Sequence, residues 1–353
     1  NDEIFDIVDR LTSEIKKDLA LPAAAAREKD MPVAEATTHS TEAYRYYLEG
    51  MDYLNKYYGQ EAKASFDHAL EYDSTFAMAY LRLSSSVIST STTERKRAIS
   101  KAVEYSDRAS KKELRYINSA RALISGDLKG AIAELETLIE ENPEEKEAYK
   151  ELGDIYRVYI IDPDEAIPYY RKALEIDPMD KGSYNSLAYL YQSVGDIDNY
   201  IWAIYQYMSL APGEANPHDS RGDLYAFGGK PEKAIKSYAK ALEYKPDFHG
   251  SRVKLGHMHL FNGDYEQARE AYAMLVADTD LVVRAWGRSW MALVPLYQGR
   301  LDEAIKQLDE GIAADRAEGA EGEPYTFKYA MKAFAYAAKK DYARAIAEAR
   351  TGL

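Results

Sequence analysis

Residues 143–178 read PEEKEAYKELGDIYRVYIIDPDEAIPYYRKALEIDP, residues 178–212 read PMDKGSYNSLAYLYQSVGDIDNYIWAIYQYMSLAP, and residues 212–246 read PGEANPHDSRGDLYAFGGKPEKAIKSYAKALEYKP. Set one beneath another, the three lines share a frame. Pro143, Pro178, Pro212 and Pro246 are 35, 34 and 34 residues apart, and Gly153, Ala188, Gly222 and Gly256 take the same steps. Ala131, Ala166, Tyr200, Ala234 and Ala268 form a third series that adds one further step of 34. Three columns on one period mark a repeated structural unit, and a period of this size belongs to a stacked array rather than a compact globule.

Working outward, the same text continues in both directions at lower fidelity. Tyr46, Gly50, Tyr53, Ala62, Phe66 and Ala69 make a first unit, and a Ser/Thr-rich run from Ser84 to Thr93 interrupts the second before a basic helix around Arg95 to Tyr105. The fourth unit carries one extra residue, placed by the text near Asp162-Pro163-Asp164, and the eighth about two extra before Ala304. Gly195-Asp196, Gly229-Lys230 and Gly263-Asp264 fall where a helix must reverse into its partner and glycine eases the turn. Pro295 predicts a break or kink in the first helix of the eighth unit. Glu318 to Pro324 reads as an acidic loop before a ninth unit with Tyr329, Ala333, Tyr336, Ala345 and Ala349.

The pattern of an aromatic, Leu, Gly or Ala, Tyr, then Ala, a large apolar residue, Ala and Pro resembles the tetratricopeptide repeat, most closely over residues 146–246. The resemblance implies an all-α, right-handed superhelical solenoid of about nine helical hairpins over residues 43–353, with residues 21–42 a linker and residues 1–20 an amphipathic helix. In that helix Ile4, Val8, Leu11, Ile15 and Leu19 share one face, as a helix covering an array end or closing a preceding domain would. Asp2-Glu3-Ile4-Phe5-Asp6 with Leu11-Thr12, and the junction Ala36 to Gly50, are similar to the end of a TolB- or FlgO-like domain that precedes such arrays in bacterial signalling proteins.

Composition narrows function by exclusion. The net charge is −14, from 45 Lys plus Arg against 59 Asp plus Glu, which repels a phosphate backbone and makes nucleic acid a poor partner. There is no cysteine, so thiol chemistry is excluded. No apolar run is long enough to cross a bilayer, so direct membrane insertion of this soluble segment is not expected, and its compartment, cytoplasmic or periplasmic, is left open by the sequence. The 31 tyrosines against 8 phenylalanines predict packed rings whose hydroxyls reach solvent or a polar partner. No phosphate-cradling glycine loop, His-Glu-x-x-His pair or Gly-x-Ser-x-Gly elbow is found. His257 and His259, two apart on a helix, diverge by about 200° and cannot share a metal. Asp162-Pro163-Asp164 reads as a helix start, with Asp as cap and Pro in the first turn. The expectation is a non-enzyme with neither metal nor cofactor.

Binding has a better-defined place. In each first helix, positions spaced by three, four and three make a stripe beside the packing face, and in a stack of this hand that stripe lines a concave groove. Its first zone offers Tyr44, Tyr47, Met51, Leu54, Met78, Leu81, Tyr116 and Leu123. The middle zone is polar: Lys150, Asp154, Arg157, Asn185, Tyr189, Gln192, Asn216, Asp219 and Asp223, with His257 beside it. The last zone offers Val253, Leu260, Arg284, Met291, Phe327 and Phe334. Polar groups of fixed geometry suit the main chain of an extended peptide. Asp219 and Asp223, four apart on one face, repel mildly, which favours a cationic ligand group or an offset by Arg221 and Arg252. Some tetratricopeptide-repeat proteins grip a C-terminal carboxylate with a Lys and Asn clamp; Lys150 matches, but Asp154 stands where Asn is needed, so that mode is not expected. The expected function is an interaction scaffold holding an extended peptide or partner helix within a larger bacterial signalling protein. Homo-oligomeric self-assembly and small-molecule sensing are the alternatives.

Overall fold

The computed structural model describes residues 38–86, 92–320 and 322–352. The expected helix over residues 1–20, its TolB- or FlgO-like resemblance, most of the linker and the centre of the Ser/Thr-rich run lie outside the described residues. All regular structure among the described residues is helical, and the chain divides into two compact units between Ala211 and Pro212.

In the first unit the helices are α1 (Thr41–Asn55), α2 (Gly59–Tyr72), α3 (Ala77–Ser86), α4 (Thr92–Glu104), α5 (Lys111–Ser125), α6 (Leu128–Glu141), α7 (Lys146–Asp154), α8 (Pro163–Ile176), α9 (Lys181–Ser193) and α10 (Ile197–Leu210). They pair in sequence as hairpins, and each second helix also packs on the next hairpin's first. In the second unit α11 (Ala215–Phe227) pairs with α12 (Pro231–Tyr244), and α13 (His249–Asn262) with α14 (Tyr265–Val276). A broken first helix, α15 (Leu281–Met291) and α16 (Leu293–Tyr297), packs on α17 (Leu301–Glu318), and α18 (Glu323–Ala338) closes with α19 (Tyr342–Thr351). The break precedes Pro295, as the missing amide and the ring's clash with the preceding turn require.

The small-residue column has a packing cause. A Cβ on Gly222 would lie 2.3 Å from the Tyr238 ring, on Gly256 2.3 Å from Tyr272, on Gly153 2.7 Å from Tyr170 and on Gly50 2.6 Å from Phe66. Each ring sits four residues after the Ala column, at a site where the fifth hairpin instead carries Ile204 opposite Ala188. Glycine thus admits an aromatic ring from the paired helix, and alanine goes with a smaller side chain.

The proline column coincides with a loop-closing hydrogen bond. The residue six positions later donates back to its carbonyl: Tyr149 Oη to Pro143 O at 3.3 Å, Tyr184 Oη to Pro178 O at 3.2 Å, and His218 Nε2 to Pro212 O at 2.9 Å. Arg252 does the same to Pro246, Tyr80 to Ser74 at 3.2 Å and Arg284 to Asp278 at 2.9 Å. Residue type varies, but every member is a donor closing the loop between hairpins.

Turns within hairpins hold one left-handed residue seven positions after the small-residue column. Gly126, Gly195, Gly229, Gly263 and Gly299 take φ between 65° and 84° there. Tyr57, Ile161 and Lys340 take φ of 63°, 61° and 63° at matching turns. Ile161 comes eight residues after Gly153, and the extra residue is absorbed by a π-helical turn over Ile155–Ile160. This corrects its expected place at Asp162 to Asp164, because a π turn takes in one more residue than an α turn. Asp162 is the cap expected of it, its side chain accepting from the Glu165 amide at 3.2 Å, with Pro163 at the first helical positions.

Candidate functional site

In the first unit the first-zone residues Tyr47, Met78, Leu81 and Tyr116 are buried in the hydrophobic core rather than lining an open wall. Tyr47 packs at 5.9 Å from the Phe66 ring and 5.0 Å from Phe76. Arg82 of α3 lies over the Tyr116 ring and pairs with Glu151 of α7 at 3.0 Å.

In the polar zone of this unit, Lys150 Nζ donates to Glu147 Oε1 and Asp180 Oδ1, both at 3.0 Å. Burial disfavours its charge, but the two carboxylates outweigh this and hold the ammonium's pKa above its ordinary value. Asp154 Oδ1 accepts from Tyr170 Oη and from Arg157 Nη2, each at 2.6 Å, and Arg157 Nε lies 3.3 Å from the same hydroxyl. The side chains of Asp154 and Arg157 remain 50% and 38% exposed, so both can meet a ligand. Asn185 is buried. Tyr189 and Gln192 are partly buried on the same helix.

In the second unit Asn216 and Asp219 are buried and Asp223 is partly so. Asp219 accepts from Ser251 Oγ at 2.6 Å, and Asp223 from Tyr238 Oη at 2.8 Å. Lys254 Nζ donates to Asp219 and Asp223 at 2.7 Å each. The cation that offsets this acidic pair is therefore Lys254 of the next hairpin. Arg221 instead faces His218, and Arg252 the Pro246 carbonyl. Lys254 sits one position beyond Val253 of the stripe, which is why a search of the stripe alone passes over it. Its side chain is 34% exposed.

His257 is wedged among rings, 5.1 Å from Trp290 edge-on and 5.9 Å from Tyr272. Burial depresses its pKa to about 4, so the imidazole is neutral near pH 7. His259, in the column held elsewhere by tyrosine, is partly buried beside Asp264. Among the described residues no group of three His, Asp or Glu side chains could hold a metal ion, and no helix is long and apolar enough to cross a membrane. Beyond His257, Trp286 and Trp290 stack at 5.2 Å, and Phe327 lies 5.4 Å and 5.5 Å from them. Phe327 also borders an open apolar pocket of about 510 Å3 with Leu293, Leu296, Tyr297, Met331 and Phe334.

The two polar zones share one local design. Gly153-Asp154 with Tyr170 and Arg157, and Gly222-Asp223 with Tyr238 and Lys254, each place a carboxylate against a tyrosine hydroxyl and a cation. The glycine lets the ring in, and the ring aims its hydroxyl at the next residue's carboxylate.

The tetratricopeptide-repeat family matches residues 121–181 and 220–282. No curated protein matches the chain in sequence. Among solved structures, a tetratricopeptide repeat protein from Parabacteroides merdae is 18% identical, covers 69% of this chain and 92% of its own, with a TM-score of 0.55. Yeast Tom70 is 16% identical, covers 98% of this chain and 72% of its own, with a TM-score of 0.56. At these identities the likeness shows the fold. The two matched stretches carry tetratricopeptide repeats, the helical hairpins have the α-solenoid fold of those structures, and repeats of this kind serve as protein-interaction scaffolds.

Proposed function

We propose that this protein is a non-enzymatic scaffold that captures an extended peptide segment of a protein partner on the first helices of its hairpins. The observation that carries the reading is the carboxylate–tyrosine–cation group repeated in both units. Asp154 and Asp223 are held by hydroxyls on packed rings, and Arg157 and Lys254 are partly exposed. Held acceptors and adjacent donors on rigid helices present fixed hydrogen-bonding geometry to a peptide main chain at little ordering cost. Asp219 accepts from Lys254 and so holds it beside Asp223; within each unit, Lys150, Asn185, Tyr189 and Gln192 in the first and Asn216 and His257 in the second are the further candidate contacts.

The test begins with peptides selected from a random displayed library on the immobilised full chain. Hydrogen–deuterium exchange with a selected peptide is expected to show protection on α7, α9, α11 and α13. Protection confined to the second helices, α8, α10, α12 and α14, would put the partner elsewhere and end this reading.

The apolar pocket beside Phe327 favours a second reading, in which the chain accommodates an apolar ligand or side chain. Its volume of about 510 Å3 lies within the range of small-ligand sites. Trp286 and Trp290 adjoin it through Phe327, so an apolar probe entering the pocket should shift their fluorescence.

A further inference from the structure

We propose that the apolar pocket and the Asp219–Asp223 pair are the two ends of one groove within the second unit. That groove takes an extended peptide carrying a basic residue and, about six to eight residues away, a large apolar side chain. The inference rests on the peptide-capture reading above and adds what the peptide must carry.

A graded row of residues leads there. The residue after the small-residue column is Asp223 beside Gly222, His257 beside Gly256, Leu293 beside Ala292 and Phe334 beside Ala333. Gly299 and Lys340, the left-handed residues seven places on, fix the last two small positions. One place on successive first helices thus passes from carboxylate to imidazole, then to an aliphatic chain and a phenyl ring. Leu293 and Phe334 both line the pocket, so the row ends in a cavity.

The two ends are joined by contacts. Asp223 of α11 accepts from Lys254 of α13 at 2.7 Å. One turn further along α13, His257 stands edge-on to Trp290 of α15 at 5.1 Å. Trp290 and Trp286 lie 5.5 Å and 5.4 Å from Phe327 of α18, a wall of the pocket. A second line of rings runs from His257 to Phe261 at 6.4 Å and on to Tyr297, another wall residue, at 5.7 Å. Phe261, Tyr297 and Phe334 are 58%, 50% and 66% exposed, so these rings are open to a ligand.

Charge and reach define the ligand. At one end two carboxylates face a single ammonium, that of Lys254, and the net charge of −14 adds to the negative field, which favours a cationic group. No charged side chain lines the pocket at the other end, which favours an apolar one. Packed helices lie about 8–10 Å apart. Two to three hairpin steps therefore cover roughly 20–25 Å, or about six to eight residues of extended chain at about 3.3 Å each.

The probes are synthetic peptides, acetylated and amidated, with one arginine and one phenylalanine joined by a glycine–serine spacer of about two, six or ten residues. Both chain orders are made, and each is titrated into the full chain by calorimetry. In one order the middle spacer is expected to bind at least several-fold more tightly than the short one, which cannot span the two ends. Replacing the peptide's arginine by serine should weaken binding to the wild type and leave Asp223→Asn nearly unaffected. Replacing its phenylalanine by serine should weaken binding to the wild type but not to Phe334→Ala or Leu293→Gln, with thermal unfolding confirming that each variant is folded. Equal affinity for all spacers, no binding of any, or a full phenylalanine effect in both folded pocket variants overturns the proposal. So does N-acetyl-L-phenylalaninamide matching the middle peptide, which would make the pocket a site for small apolar ligands alone. If library-selected peptides protect α11 and α13 yet need no paired basic and apolar residues, peptide capture stands and this inference falls. If they protect only the second helices, both fall.

Discussion

At the scale of single residues, the glycine column and the rings facing it are one device. Adding a methyl to Gly222 places it 2.3 Å from the Tyr238 ring, and Gly222→Ala is expected to destabilise the chain by about 1–3 kcal/mol. Pairing it with Tyr238→Ile, after the model of Ala188 and Ile204, should recover part of that loss in a thermal-denaturation cycle. The tyrosine hydroxyls divide in the same way. Tyr238 Oη donates to a carboxylate, so Tyr238→Phe should lose about 1.5–3 kcal/mol. The buried Tyr272 hydroxyl has no hydrogen-bond partner among the described residues, and Tyr272→Phe should be neutral or stabilising. Ile161 is 78% exposed with φ 61°. Ile161→Gly should raise stability by about 0.5–1 kcal/mol, because it releases left-handed strain at a site with little packing to lose.

His257 sets a pH dependence of known sign. Its folded pKa, near 4, lies below the ordinary 6.5, so in that window the unfolded chain binds the extra proton. Stability from this group is complete above about pH 6.5 and declines as pH falls toward 4. His257→Gln should flatten the stability–pH curve across the window, and the imidazole proton shifts of the wild type should titrate near pH 4.

At the scale of elements, the C-terminal hairpins depend on a buried ion pair. Lys328 of α18 and Asp315 of α17 are both fully buried and 2.6 Å apart; Lys328 also donates to the Ala285 and Pro324 carbonyls, and Arg288 reaches Asp315 at 2.7 Å. Asp315→Ala leaves the ammonium without its counter-charge, and a loss of about 3–5 kcal/mol is expected in denaturant unfolding. Helix existence, pairing and turn positions were legible in the sequence because they recur every 34 residues and follow from local rules. The loop-closing donors recurred equally but were hidden by residue type, since Tyr149, Tyr184, His218 and Arg252 share a hydrogen-bonding property rather than an identity. The polar zone was legible as a helical face, whereas its partners were not. Lys254 belongs to the following hairpin and reaches back to Asp219 and Asp223, a contact that no periodicity within one helix encodes. The apolar first zone failed for the same reason: Tyr47 and Tyr116 lie on the expected face, but that face is covered by packing between hairpins.

At the scale of the molecule, a net charge of −14 keeps copies apart and favours partners that bring their own cations. Light scattering across concentration separates the scaffold reading from self-assembly: a monomer throughout is expected, and a concentration-dependent mass would favour assembly. Capture by the carboxylate–tyrosine–cation groups is measurable by calorimetry. A selected peptide is titrated into the wild-type chain and into the Asp154→Asn/Asp223→Asn variant, with thermal unfolding of both recorded alongside. The variant is expected to bind at least about tenfold more weakly, equal to about 1.4 kcal/mol, with the fold retained. An unchanged affinity in the folded variant would contradict it.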